Sequence, residues 1–255
     1  MNIGVPQGSI LGSLLFLVYI NDMCNLSPHL AYLLFADDTT VMMKGSSLPD
    51  LVVSINAELQ TFDQWARVNR LSVNAGKTKA MIFSNRCVPA NLMDIVIDGV
   101  VVEVVNSLRF LGVHVDDRLC FSAHTASICS KISKSIGIFH KLKDYVPLDC
   151  LRNLYFSFIF PFVIYCNLIW GGTFKRYIDP IHLLQKKVIR IMNNAEYLAH
   201  TNCLFYKSEI LNVFDIHNSF SAILFTVVSL MVIFQSLCNL STLVLEAYRY
   251  PVTED

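Results

Sequence analysis

The sequence predicts an α+β protein in which a small antiparallel sheet precedes a run of helices, and three observations carry that expectation. The first is the stretch from Tyr32 to Met43, where strand formers lead into Asp37-Asp38 and lead away again, the pattern of a β-hairpin with acids at its turn. The second is Asp98-Gly99, set between the β-branched arms Ile95-Val96-Ile97 and Val100-Val101-Val102. The third is the spacing of Ile128, Ile132, Ile136 and Phe139, which places one apolar stripe along a helix. With 255 residues the chain can hold one large domain or two modest ones, each with a core of its own.

Composition narrows the classes further. The chain is 54% hydrophobic and 16% charged, with a mean hydropathy of +0.48, so a membrane protein must be weighed. Two stretches, Asn153 to Phe174 and Asn218 to Leu245, lack Asp, Glu, Lys and Arg and exceed the ~20 residues of a span. The first is weakened as a span by Pro161, Asn167 and the Gly171-Gly172 pair. The second is diluted by Ser221, Thr226, Ser229, Gln235 and Ser236, and a helix made to pack on a neighbour has the same composition; membrane association of residues 218–245 is the less favoured reading. Net charge is zero but uneven: Arg118 to Arg190 carries eleven Lys/Arg against three Asp, and the remainder is acidic. That suits a protein gripping a phosphate backbone with one part, although Lys-rich solvated helix faces give the same count. The eight cysteines never reach Cys-x-x-Cys spacing, which argues against zinc, and the first residues lack a basic leader; free thiols in a reducing compartment are expected.

Taken in order, Gly4-Val5-Pro6-Gln7-Gly8-Ser9 is a loop whose glycines let backbone approach a ligand closely, with Gln7 offering both a donor and an acceptor. Ser9 is a candidate N-cap for a helix bearing Ile10, Leu11, Leu14, Leu15 and Val18, expected to be buried. In the hairpin that follows, adjacent ionised carboxylates repel, and a hard divalent cation offsets that repulsion; a plain Asp-Asp turn has the same local sequence. Ser47-x-x-Asp50 predicts a capping box opening a helix whose stripe is Leu51, Val52, Ile55, Leu59, Phe62 and Ala66. Leu71 to Asn74 reads as a short strand, Ala75-Gly76 as a turn, and Lys77 to Phe83 as a strand. Lys77 beside that turn could protonate a departing pyrophosphate, or be a surface lysine. Leu108 to Val115 reads as a further strand, in which His114 has no assigned role. Ser122 is a candidate cap for the helix bearing Ile128 to Phe139, with Lys131, Lys134, Lys141 and Lys143 off its stripe. Helical pattern continues through Leu148 to Trp170 and Ile181 to Met192.

Several of these segments together resemble the reverse transcriptases of non-LTR, LINE-like retrotransposons. Gly4 to Ser9 resembles motif B and Phe35-Ala36-Asp37-Asp38 the catalytic motif C. Leu71 to Thr78 resembles motif D, with Val73 where Leu is usual. Phe110-Leu111-Gly112-Val113 resembles motif E, and Tyr165, Trp170-Gly171 and Gln185-Lys186 match signatures farther on, to about His217. The resemblance implies a partial polymerase palm over residues 1–116 (motifs B to E), an α-helical thumb over 117–217, and a hydrophobic tail over 218–255. It implies nucleotidyl transfer from deoxynucleoside triphosphates to a DNA primer on an RNA template. Asp37 and Asp38 are then the ligands for Mg²⁺ or Mn²⁺, Lys77 the general acid, and Gly4, Pro6, Gln7, Gly8, Phe35 and Ala36 the substrate and template contacts. Phe110, Leu111 and Gly112 are the primer grip.

In the family a first catalytic Asp, in motif A, and the fingers lie upstream of motif B, and this sequence begins almost at motif B. The expectation is therefore a fragment that needs those upstream regions and does not polymerise alone. A non-enzymatic nucleic-acid-binding remnant and a small membrane protein are the rival readings. The resemblance also places the protein inside the cell, in nucleus and cytoplasm.

Overall fold

The computed structural model describes residues 8–84 and 94–238, with side chains to residue 229. The chain divides into two compact units, Met1–Leu108 and Arg109–Asp255. Among the described residues no helix is long and apolar enough to cross a membrane.

In the first unit, helix α1 (Ile10–Tyr19) starts where Ser9 Oγ accepts the Gly12 N–H at 3.1 Å, the cap the sequence suggested. Its expected burial is not found. Ile10 is 92% exposed and Val18 69%, and none of its residues is buried; only Phe16 packs inward. The apolar contacts fall instead to the 3₁₀ turn Asn21–Asn25, whose Met23 joins Ile20 and Phe62 in a small cluster. Strands β1 (Ala31–Phe35) and β2 (Asp38–Met42) pair antiparallel, with Phe35 opposite Asp38 and Ala31 opposite Met42.

Helix α2 (Leu48–Val68) follows. Ser47 is its N-cap residue, but its side chain makes no capping bond, so the predicted capping box is not formed. Pro49, the second helical residue, removes one of the two N–H groups a cap hydroxyl can accept, and Ser47 does not take up the other, on Asp50. The stripe itself is as predicted: Val52, Leu59, Phe62 and Ala66 are buried. Val52 and Leu59 pack on Ile95, Ile97 and Val102, burying side chains worth roughly 1.5–3 kcal/mol each. The Asp98-Gly99 hairpin of β4 (Val96–Ile97) and β5 (Val100–Val101) forms as predicted, with both turn residues at positive φ. Asn56 on α2 holds it, donating to the Asp94 carbonyl at 2.9 Å and accepting the Val96 N–H at 3.0 Å.

Two strand predictions in this unit are corrected. Leu71 to Asn74 is not a strand: Asn74 accepts the Lys77 N–H through its carbonyl and its Oδ1, a local alternative to a ladder. The predicted strand from Lys77 shrinks to β3 (Lys79–Ala80), paired parallel with β6 (Glu103–Val104). Leu108 to Val115 is likewise a hairpin rather than one strand, made of β7 (Ser107–Phe110) and β8 (Val113–Asp116), and the division between units falls inside β7. Leu111 (φ 43) and Gly112 (φ 86) form its turn, and the left-handed Leu is what the sequence pattern concealed.

The second unit is helical. Helix α3 (Ser122–Leu142) begins one residue after its N-cap Phe121, so Ser122 is not the cap. The Asp116 carboxylate accepts the N–H groups of Cys120 (2.8 Å) and Phe121 (2.6 Å) and anchors that start. The uncharged stretch after Asn153 is broken into α4 (Leu148–Phe158), α5 (Phe160–Ile164) and α6 (Asn167–Trp170). Helix α7 (Lys175–Met192) packs on α3, followed by α8 (Asn202–Lys207) and α9 (Val213–Cys238). Ile132, Phe139, Tyr155, Trp170, Ile181 and Val188 are fully buried at the centre of this core. Gln185 is fully buried among them: its amide donates to the Tyr155 hydroxyl at 2.7 Å and its oxygen accepts the Val213 N–H at 2.8 Å. Burial pushes the Tyr155 phenol upward, and this hydrogen bond partly offsets the rise.

Candidate active site

The site is built from the β1–β2 hairpin. Directly opposed residues share a face, so Phe35 and Asp38 stand together on one side while Tyr32 and Leu34, packed against the Ile20–Met23–Phe62 cluster, stand on the other. Ala36 and Asp37 make the two-residue turn, with Ala36 at φ 51. That left-handed alanine costs about 1–2 kcal/mol. The result is a tip from which Asp37 and Asp38, both exposed, project as neighbouring carboxylates, with Phe35 60% exposed beside them. Neither acid takes part in an ion pair among the described residues, which leaves hard oxygen donors open to a cation. No group of three or more His, Cys, Asp or Glu that could hold a metal occurs among the described residues. Asp22, the next acid upstream, accepts a hydrogen bond from the Trp65 indole at 3.3 Å.

On the opposite face, Tyr32 has a buried hydroxyl with no hydrogen-bond partner among the described residues, and burial, then the Glu58 charge, push its ionisation upward. The sequence reading missed it, since an alternating strand gives no sign of which polar tip lacks a partner. Gly8 has φ 86, and a Cβ there would meet no atom of the described residues within 4 Å. Gly4, Pro6 and Gln7 lie outside the described residues. Lys77 is exposed on the Asn74–Thr78 turn and makes no ion pair with either acid. The structure thus brings Phe35, Ala36, Asp37 and Asp38 together, with Lys77 on a separate turn.

The second group of predicted residues, Phe110, Leu111 and Gly112, sits at the β7–β8 turn. Tyr165 donates its hydroxyl to the Leu111 carbonyl at 2.6 Å, and a Cβ on Gly112 would lie 3.4 Å from the Tyr165 ring. The buried Trp170 donates its indole N–H to the Tyr165 carbonyl at 2.8 Å. Behind it, His124 meets Trp170 edge-on and accepts the His114 backbone N–H at 3.3 Å. Burial first, then the nearby His114 and Lys131, lower the His124 pKa to about 4, so the ring is neutral, as an accepting Nδ1 requires. The signature Tyr165…Trp170 therefore supports the tip of this turn, a link across 54 residues that no local pattern shows.

Comparison with known proteins bears on these motifs. Residues 2–115 match the family described as "Reverse transcriptase (RNA-dependent DNA polymerase)". The chain is 27% identical over 208 residues (78% of its length) to the RNA-directed DNA polymerase from mobile element jockey of Drosophila melanogaster. It is 29% identical over 227 residues (86%) to the probable RNA-directed DNA polymerase from transposon X-element of the same species. It is also 27% identical over 184 residues to a Pol polyprotein from the type-1 retrotransposable element R1 2 of Nasonia vitripennis. The chain spans 22%, 25% and 44% of the lengths of these three relatives. No solved structure matches it. Residues 2–115, with the Asp37-Asp38 hairpin among them, match the reverse transcriptase family, and the chain as a whole is similar to RNA-directed DNA polymerases of mobile elements.

Proposed function

We propose that this chain is a palm-and-thumb segment of an RNA-directed DNA polymerase, residues 1–116 supplying palm and residues 117–217 thumb. The observation that carries the reading is the exposed Asp37-Asp38 pair at a two-residue hairpin turn inside the matched segment. Both side chains are hard oxygen donors, the chemistry Mg²⁺ or Mn²⁺ requires, and Asp37 and Asp38 would hold the ion. When bound, such ions lower the pKa of the primer 3′-hydroxyl and neutralise charge on the leaving pyrophosphate. This chain's own residues would do the rest. Phe35 offers an apolar face beside the acids, Lys77 supplies a proton to the leaving group, and the Phe110-Leu111-Gly112 turn bears on the primer, with RNA template and deoxynucleoside triphosphates as partners.

Two carboxylates furnish fewer oxygens than the six a hard ion of this kind gathers, so polymerisation is expected only when a further ligand joins them. The test is primer extension on an RNA template with Mg²⁺ or Mn²⁺. It compares this chain, a version joined to the upstream polymerase region of a relative, and the Asp37→Asn variant of each. Extension is expected from the joined version and lost by about a thousandfold in Asp37→Asn, the effect of ~4 kcal/mol in transition-state stabilisation. Undiminished extension by the joined Asp37→Asn variant would refute the assignment.

A further inference from the structure

The C-terminal ends of α3 and α7 enclose a cleft of about 250 Å³ lined by His140, Lys143, Lys187, Arg190, Asn194 and Tyr197 among others, with no carboxylate in its lining. Basic residues at a helix C-terminus are ordinarily explained by the macrodipole, about half a negative charge per helix. Two helix ends account for about one unit, and Lys143, Lys187 and Arg190 bring three. Their engagements differ. Lys143 donates to Asn194 Oδ1 at 3.0 Å and lies 3.9 Å from Asp144, which stands outside the lining. Arg190 donates Nε to the Ala199 carbonyl at 3.0 Å, which fixes the plane of its guanidinium while its terminal nitrogens take no part in an ion pair among the described residues. Lys187 is exposed and likewise unpaired in that sense. Tyr197 is 81% exposed at the edge of these cations.

An oriented guanidinium and a free ammonium suit a phosphate group, and a bare aromatic ring beside them suits an unstacked base. We propose that this cleft binds a phosphodiester of a single-stranded nucleic acid, with the adjoining base stacked on Tyr197. The proposal rests on the nucleic-acid reading above and adds a defined seat to it. Duplex is disfavoured because its bases offer no free face to the ring.

The experiment is fluorescence-anisotropy titration of a labelled single-stranded RNA of about twelve nucleotides, within the usual site sizes, over a series of salt concentrations. The full chain is compared with its Lys187→Gln, Tyr197→Ser and Lys207→Gln variants; Lys207, exposed on α8, controls for a lost charge elsewhere. Lys187→Gln is expected to lower the salt slope of log K by about 0.7, one phosphate contact on a single strand. Tyr197→Ser is expected to weaken binding about fivefold or more with the slope unchanged. If the chain binds RNA and both variants behave like Lys207→Gln, the cleft is unused and only this proposal falls. If the chain binds no RNA at all, the proposal falls together with the nucleic-acid reading. A mononucleotide that displaces the strand at micromolar concentration, and loses that ability in Lys187→Gln, would assign the cleft to free nucleotides and overturn the strand assignment.

Discussion

Replacing Gly171 by Ala should damage this protein far more than the same change one residue later. Gly171 has φ −69 and ψ −18, a conformation any residue adopts, so the backbone itself raises no objection and the unfolded chain loses entropy worth about 0.4–1 kcal/mol in favour of Ala. The space is the obstacle. A Cβ at Gly171 would lie 2.6 Å from both the Asn167 carbonyl oxygen and its Oδ1, and 2.8 Å from His217 Nδ1. One of these is main chain within α6, which cannot step aside without moving Trp170 and, through its indole bond, Tyr165. Overpacking of this kind costs about 1–3 kcal/mol or more, so the net loss should be about 2 kcal/mol. At Gly172 the contacts are 3.2–3.3 Å and all to the His217 ring, which can shift by a few tenths of an ångström; there the two effects should nearly cancel. With a urea slope of about 2 kcal/mol/M, Gly171→Ala should lower the unfolding midpoint by about 1 M and Gly172→Ala by almost nothing. Adding His217→Ala to Gly171→Ala should restore only part of the loss. An unchanged midpoint in Gly171→Ala, or an equal loss in Gly172→Ala, would refute the steric reasoning.

Three further outcomes follow from the geometry. Ala36→Gly should raise stability by about 1 kcal/mol less the entropy glycine adds to the unfolded chain, because it relieves the left-handed alanine at the Asp37 turn; a thermal or urea midpoint reads this, and a loss of stability would contradict it. Tyr165→Phe should cost about 1 kcal/mol and speed amide exchange in the β7–β8 hairpin, with unaltered exchange there as the contrary result. His124 has a folded pKa of about 4 against an ordinary 6.5, so the unfolded state binds the extra proton between those values. Stability contributed by the neutral ring is fully present above pH 6.5 and falls as pH drops toward 4. His124→Gln should flatten that part of the pH–stability curve, and an identical slope would show that other groups govern it.

What could be read from the sequence, and what could not, divides along the range of the interactions. The Asp37-Asp38 hairpin, the Asp98-Gly99 turn and the stripes Val52–Ala66 and Ile128–Phe139 are local patterns, and the structure contains each of them. The failures are places where one local signal masks another. Pro49 leaves Ser47 one fewer N–H to cap, Asn74 diverts the backbone of a β-prone tetrapeptide, and Leu111 occupies a left-handed turn position where Gly or Asn is the usual mark. The bareness of α1 could not be foreseen, since an apolar stripe says that a face wants cover without saying what covers it. At the candidate site the acids and their exposure were legible. The support that Tyr165, Trp170 and His124 give the Leu111-Gly112 turn was not, because it depends on side chains meeting across long separations.

The buried Gln185 has a consequence for how this protein can vary through descent. Its oxygen accepts a main-chain N–H, at Val213, which no substitution short of proline removes, whereas its amide nitrogen donates chiefly to a side chain, the Tyr155 hydroxyl at 2.7 Å, and at 3.5 Å to the Leu211 carbonyl. The two positions are therefore unequally constrained. Tyr155→Phe leaves the Gln185 amide only its longer bond to the Leu211 carbonyl at 3.5 Å, a cost of about 1 kcal/mol that a later change at 185 can cancel. An apolar residue at 185 instead strands both the phenol and the Val213 amide, and no replacement at 155 can repair the second. Substitutions at this pair should accumulate in one order only, with position 155 drifting first and position 185 keeping an acceptor throughout.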